Sequence, residues 1–438
     1  MKRRQFIKLL AASGFGAALP VAAVKANAAP GAGNYRYFVA IAADGGWDST
    51  CLFDPKGKAN EINKVALDNS LKTPEGLQWS AVPDVKDKAI IENQYRQFFT
   101  RYGNRITAIR GVDSLTSSHL LGAKSVWSGN FGTNPSIAAL HSAVHGRNLP
   151  LPYITFGGHY GGSDYTADLG VEKARLGGGG LLKLMGNPGG SQESGLYGMI
   201  KNAHQDRLSR QIMEENGLDY RLSSRSKGLD NLLNYRLSEN RFEQLHDNLA
   251  QLEGVPDFKG DWNSGRMQHF KLQARLTAAS FATGTSNAAS LSQWGFDTHG
   301  NNNDQYPALG NLLEGIHYLI EALTFFGIAD QTVIMVASDI GRRALHNGSG
   351  GKDHHNVTGQ MIIHPEGSGS GGKYFGETTD RYEQVKLNLE TGKADRNGTN
   401  LTIRHTLYGM REYLGLNDSE QAKRFPLGEN LIMPNLFS

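Results

Sequence analysis

The stretch from Ala289 to His364 constrains the fold most. An apolar run, Thr332-Val-Ile-Met-Val-Ala337, has the length and β-branched content of a strand buried on both faces. Before it, Ala289–Trp294 reads as a strand. Residues 307–327 carry Leu309, Leu312, Leu313, Ile316, Leu319, Ile320 and Leu323 at helical spacing, with Pro307 suited to a first turn. A further strand is expected from Gln360 to His364. Strand, helix and strand in succession, with polar groups at each strand's carboxyl end, is the doubly wound α/β pattern.

The rest of the chain extends that pattern. Tyr37–Ala43 is an apolar run that stops at Asp44-Gly45-Gly46, as a buried parallel strand would. Residues 86–101 suit a helix, Ile106–Arg110 a short strand and Pro152–Phe156 another. Thr116, Ser117 and Ser118 stand where a helix N-cap belongs. Residues 195–285 are charged, nearly free of proline and periodic, and are expected to form several amphipathic helices packed on one side of the sheet, as an insertion or cap. A hairpin is expected over 382–403, turning near Thr391-Gly392, with a closing helix over 402–414. The 54 glycines point to many turns and close-approach loops.

The amino-terminal segment gives an address. Arg3-Arg4 followed by Phe6-Ile7-Lys8-Leu9, an apolar stretch to Val24 and Ala26-Asn27-Ala28 make a twin-arginine signal peptide over residues 1–28, with its cleavage site. The expectation is export to the bacterial periplasm by the twin-arginine machinery. Roughly 410 residues remain, enough for one large α/β domain, and no later stretch is apolar enough for a stable membrane span. The net charge is +3, but Lys2, Arg3, Arg4, Lys8 and Lys25 lie in the leader, so the remainder is near neutral and nothing argues for nucleic acid. The single cysteine, Cys51, rules out an internal disulfide.

In an open parallel sheet the carboxyl ends of the strands face one crevice. Asp44 or Asp48, Asp297, His299, Asp339, and Asp353 or His354 each follow an expected strand or its loop, so residues far apart in sequence can converge there. Gathered carboxylates and imidazoles suit a divalent cation, zinc or manganese, because carboxylates left together repel or take up protons. The metal set is therefore Asp48, Asp297, His299, Asp339, Asp353 and His354. Arg342 can fork onto a phosphate or sulfate. Ser118 and His119, at a helix start where N–H groups favour an oxyanion, are the catalytic candidates. For each of these residues an ordinary structural role is the competing reading: a cap for Ser118, a salt bridge to Asp339 for Arg342.

At these residues the chain resembles a family of exported bacterial proteins, domain of unknown function 1501, itself distantly related to alkaline phosphatases and sulfatases. The matching pieces are Gly45-Gly46 with Leu52–Lys56, Ser118-His119, Gly295-Phe296-Asp297-Thr298-His299-Gly300, Ser338-Asp339-Ile340-Gly341-Arg342, and Asn347 through Asp353-His354. The resemblance implies a mostly parallel sheet with helices on both faces and a pocket that handles anionic esters. Asp339 is followed by Ile340 where the phosphatases have His, so one metal site is implied, from Asp297, His299 and His354, rather than two. The expected activity is hydrolysis of a small phosphate or sulfate ester. The alternative is an exported, non-catalytic protein that keeps the fold and binds a glycan, an envelope component or a protein.

Overall fold

The computed structural model describes residues 35–56, 70–158 except 148, parts of 160–175 and of 244–255, and 265–429, with single positions beyond. Residues 1–28 and most of 195–264 lie outside this set, and with them the leader and the expected helical insertion.

Among the described residues, eight strands form one sheet. In chain order they are β1 (Tyr37–Asp44), β2 (Ile106–Asp113), β3 (Tyr153–Thr155), β4 (Lys173–Arg175), β5 (Ala288–Trp294), β6 (Thr332–Ser338), β7 (Val357–Ile363) and β8 (Lys373–Phe375). Their order across the sheet is β8-β2-β7-β6-β1-β5-β3-β4. The pairings are parallel except those of β7, which runs antiparallel to both β2 and β6. β1 sits at the centre and is buried at every position. A strand covered on both faces has no polar side to alternate with, which is why Tyr37–Ala43 and Thr332–Ala337 read as continuous apolar runs.

Two helical layers supply the cover. Val39, Ile41 and Ala43 face a cluster shared with α1 (Lys88–Tyr102), α4 (Gly265–Ala282) and α5 (Gln305–Phe325). Phe38, Ala40 and Ala42 face the other, shared with α2 (His119–Ser128), α3 (Ile137–His145) and α6 (Ile403–Tyr413). The period-2 alternation along β1 thus divides the core into two layers. In α5 the seven apolar residues named above are all buried, and the chain turns out of the helix at Gly327, in the left-handed region.

One expectation changes. The last strand of the central set begins at Val357 and is antiparallel, since the chain reaches it from β6 through the loop 343–353 and a two-residue ribbon, Gly341–Arg342 with His354–His355, instead of a crossover helix. Within the segment 195–285, Gly265–Ala282 is the helix α4, which packs Phe270 and Ala274 into the core on one face of the sheet. The hairpin near Thr391-Gly392 is present as Leu387–Asn388 paired with Lys393–Ala394.

Candidate metal centre

Four side chains from three loops meet beyond the carboxyl ends of the strands. His119 opens α2, Asp297 and His299 follow β5, and His354 lies in the ribbon before β7. One ligand atom from each lies within 4.8 Å of all the others. Asp297 Oδ1 is 3.5 Å from His119 Nε2, 3.2 Å from His299 Nε2 and 3.8 Å from His354 Nε2. Ligands about 2.0–2.1 Å from a tetrahedral zinc stand about 3.3 Å from one another, so these spacings fit one cation. His299 Nε2 and His354 Nε2 are 2.8 Å apart. Two imidazole lone pairs at that separation need a proton or a cation between them.

His119 shows the fit most clearly. Its Nδ1 lies 2.5 Å from Asp339 Oδ2. Asp339 acts as an acceptor throughout: its Oδ1 takes hydrogen bonds from the N–H groups of Gly45 and Gly46 at 2.9 Å and from the Ser338 hydroxyl at 3.0 Å. The Nδ1 proton is therefore held on the Asp339 side, and Nε2 is left with a lone pair. That Nε2 is buried and hydrogen-bonds to nothing among the described residues. A buried, unpaired ring nitrogen aimed at a carboxylate and two other imidazoles is the arrangement of a carboxylate-backed metal ligand. Tyr160 stacks flat on the His119 ring, 4.4 Å between centroids at 6°, and fixes its plane.

Local backbone explains why these groups reach one another. Gly45 has φ +113°, and a Cβ there would stand 2.7 Å from Asp297 N; only glycine lets the loop after β1 pass beneath Asp297 while aiming its N–H at Asp339. A Cβ on Gly122 would meet the Asp339 carbonyl at 2.3 Å, so glycine lets the first turn of α2 press against the turn after β6 and deliver His119.

The other expected site residues take different places. Asp339 and Asp353 stand one step behind the ligand atoms: Asp339 orients His119, and Asp353 Oδ1 lies 3.5 Å from His299 Nδ1. Arg342 is fully buried and directs its donors at protein acceptors. Nε donates to Gly46 O, Nη1 to Lys352 O and toward His299 Nε2, and Nη2 to Gly45 O and Asp297 Oδ1. It braces Asp297 and the two loops rather than reaching out as a fork for a substrate. Asp48 is absent from the cluster. Its carboxylate is buried beside Lys352 Nζ at 2.7 Å and accepts further hydrogen bonds from Thr50 and Asn302. Ser118 is exposed and precedes α2 without a side-chain capping bond. His355, next to His354, accepts from Val357 N. Lys352 and Tyr160 escaped the sequence reading; neither a lone lysine after glycines nor a loop tyrosine carries a spacing signal.

The field at the centre favours deprotonated ligands. Burial alone would raise the Asp297 carboxyl, but the hydrogen bond and charge of Arg342, with His119 and His299, hold it below the usual carboxylate range. Burial lowers His354, and the neighbouring His119, Arg342 and His299 lower it further. The Tyr160 phenol is pushed up to about 12 by burial and by Asp297, Asp339 and Asp44.

The family described as a protein of unknown function (DUF1501) matches residues 206–388, a span that includes Asp297, His299, Asp339, Arg342 and His354. No curated protein matches the chain by sequence. Similar solved structures include Ps i-CgsB in complex with k-i-k-neocarrahexaose, with TM-score 0.40 and 10% identity, covering 92% of this chain and 75% of that one. The lipoteichoic acid synthase LtaP from Listeria monocytogenes has TM-score 0.33 and 8% identity over 91% and 76%. Alkaline phosphatase from the Antarctic bacterium TAB5 has TM-score 0.31 and 9% identity over 78% and 94%. Across residues 206–388, then, the chain is similar to the DUF1501 family.

Proposed function

We propose that the protein is a metal-dependent hydrolase of small phosphate or sulfate esters. The observation that carries the reading is the His119 Nε2 atom, buried and unpaired among Asp297, His299 and His354, with Asp339 holding the proton on the opposite ring nitrogen. Asp297, His299, His354 and His119 would hold one divalent cation, zinc or manganese by the mixture of nitrogen and oxygen donors. When bound, such a cation polarises an ester oxygen and brings the pKa of water to about 7.

The chain's own residues do the rest. Asp339 keeps His119 in the Nδ1-protonated tautomer. Arg342 fixes Asp297 and adds a buried positive charge beside the place where an anion would dock. The first-turn N–H groups of α2, uncapped by the Ser118 side chain, point positive dipole ends outward from the same loop. Ile340, fully buried beside Asp339, offers no ligand, in keeping with a single-cation centre. Ser118 sits next to His119 with its hydroxyl uncommitted to capping and is the candidate nucleophile.

We propose also that residues 1–28 direct export of the folded chain to the periplasm through the twin-arginine machinery. Among the described residues, no helix is long and apolar enough to cross a membrane. The direct test of the activity is a screen of chromogenic phosphate and sulfate esters on zinc- and manganese-loaded protein. Turnover above about 10-fold over the His299→Ala variant is expected for at least one ester. Loss of that turnover in Ser118→Ala assigns attack to Ser118, and retention assigns it to water. Bound metal with no turnover on any ester overturns the hydrolase reading.

A further inference from the structure

A second feature adjoins the centre. A cleft of about 590 Å³ is lined by Asp44, Tyr160, Trp294, Asp297, Asp304 and Pro307, among others. It shares Asp297 with the metal cluster and Tyr160 with His119, so it opens directly onto the reacting position. Its size is that of an ordinary small-molecule site, about 300–1,000 Å³.

Trp294 is the unusual member. It ends β5 in register with Asp44 at the end of β1, and it is the one exposed residue of a strand otherwise buried throughout. Its side chain is 39% exposed although the carboxyl end of a central strand offers cover on both sides. The ring of His269 packs against it edge-on at 5.3 Å, which fixes the indole plane and leaves it facing the cleft. An indole held rigid at the mouth of a polar cleft is a stacking surface in search of a flat partner.

The polar lining defines that partner. Asp44, Asp297 and Asp304 supply carboxylates, and among the described residues no Lys or Arg lines the cleft. Its electrostatics repel the anionic part of an ester and direct that part to the neighbouring centre, where Arg342 stands and a cation would be held. What enters the cleft must carry hydroxyl donors for the carboxylates, since O–H···O⁻ bonds are short and strong. It must also carry an apolar face for the indole, whose electron-rich surface attracts polarised C–H groups. A sugar ring has both: hydroxyls around its edge and C–H groups on its face.

The geometry points to a sugar-binding subsite at Trp294 that receives the alcohol part of the ester, making the substrate a phosphorylated or sulfated saccharide. This rests on the hydrolase reading for the position of the ester group, but the subsite is testable by binding alone. Titration calorimetry on zinc-loaded protein compares glucose 6-phosphate and glucose 6-sulfate with ethyl phosphate and ethyl sulfate. The sugar esters are expected to bind at least 10-fold more tightly than the ethyl esters with the same anion. In Trp294→Ala that preference should collapse to within about 2-fold, with zinc affinity and ethyl-ester affinity unchanged. Trp294→Phe, which keeps an aromatic face, should retain most of it. Equal binding of sugar and ethyl esters by the native protein, or a preference that survives Trp294→Ala, overturns the subsite. Choline phosphate binding more tightly than both sugar esters also overturns it, assigning the aromatic and acidic walls to a cation. Failure of zinc to bind, with the sugar preference intact, would count against the metal-dependent reading and leave the subsite standing.

Discussion

Two charged clusters lie side by side on the same loops and have opposite character. In the first, Asp48 and Lys352 are both without solvent exposure and 2.7 Å apart. Thr50 and Asn302 take up the remaining capacity of the Asp48 carboxylate. In the second, Asp297, His299 and His354 are part-exposed, and a buried nitrogen of His119 points at them unpaired. Asp48 follows Gly45-Gly46, which hold Asp339; Lys352 stands two residues before His354; Asn302 stands three after His299. The closed cluster ties together the loops that the open one needs in register. A satisfied buried ion pair fastens the loops, and an unsatisfied ring nitrogen marks the place left for a ligand.

Acid should break the molecule away from both clusters, and by the largest amount. Burial lowers His141, His317 and His364 to about 3, each kept neutral inside the fold. Their ordinary value is about 6.5, so between pH 6.5 and 3 the unfolded chain binds more protons than the folded one. Their contribution is complete above about pH 6.5 and is lost as pH falls toward 3. Each steepens the loss by roughly 1.4 kcal/mol per pH unit. The Asp48 carboxyl also has its value lowered: burial opposes this, but Lys352, Thr50 and Asn302 prevail. The closed cluster therefore holds its charge through that window and yields only below about pH 4. Urea denaturation at pH 7, 6, 5 and 4 should show stability falling by several kcal/mol across the series. A flat profile would contradict the neutral burial of these histidines.

Next in size is the closed cluster itself. Lys352→Met leaves the Asp48 carboxylate buried without its counter-charge and should destabilise the protein by about 3–5 kcal/mol in urea denaturation. Asp48→Asn in the same chain should recover most of that loss. If Lys352→Met costs less than about 1 kcal/mol, the contrast between the clusters fails.

How far this was legible from sequence follows from the same contrast. β1 and β6 are plain because short, continuous apolar runs that stop at polar loops suit strands buried on both faces, and α5 because one apolar face repeats at helical spacing. The direction of β7 is not plain: Val357–Ile363 is equally apolar read either way, and direction depends on how the chain arrives. At the site, Asp297-x-His299 and Asp353-His354 point to the crevice because each follows a strand. Asp48 follows one too, and its spacing is as suggestive. Only the partner at Lys352, far away in the chain, distinguishes a fastening carboxylate from a ligand. Asp339 likewise looked like a ligand, yet it touches His119 in place of the reacting position; a carboxylate that orients an imidazole and one that binds a metal are alike in sequence.

The smallest expected change separates those two roles. Asp339→Asn should keep the metal but weaken it by about 10- to 100-fold, because His119 loses the carboxylate that fixes its tautomer.

The claim under all of this is that one divalent cation binds at Asp297, His299, His354 and His119. Zinc titration of purified, chelator-stripped protein, followed by calorimetry, tests it directly. The native chain should bind one equivalent, His299→Ala should lose at least 100-fold in affinity, and Lys352→Gln, if it folds, should still bind. Native protein that takes up no zinc or manganese, or His299→Ala that binds as well as the native chain, would contradict the account.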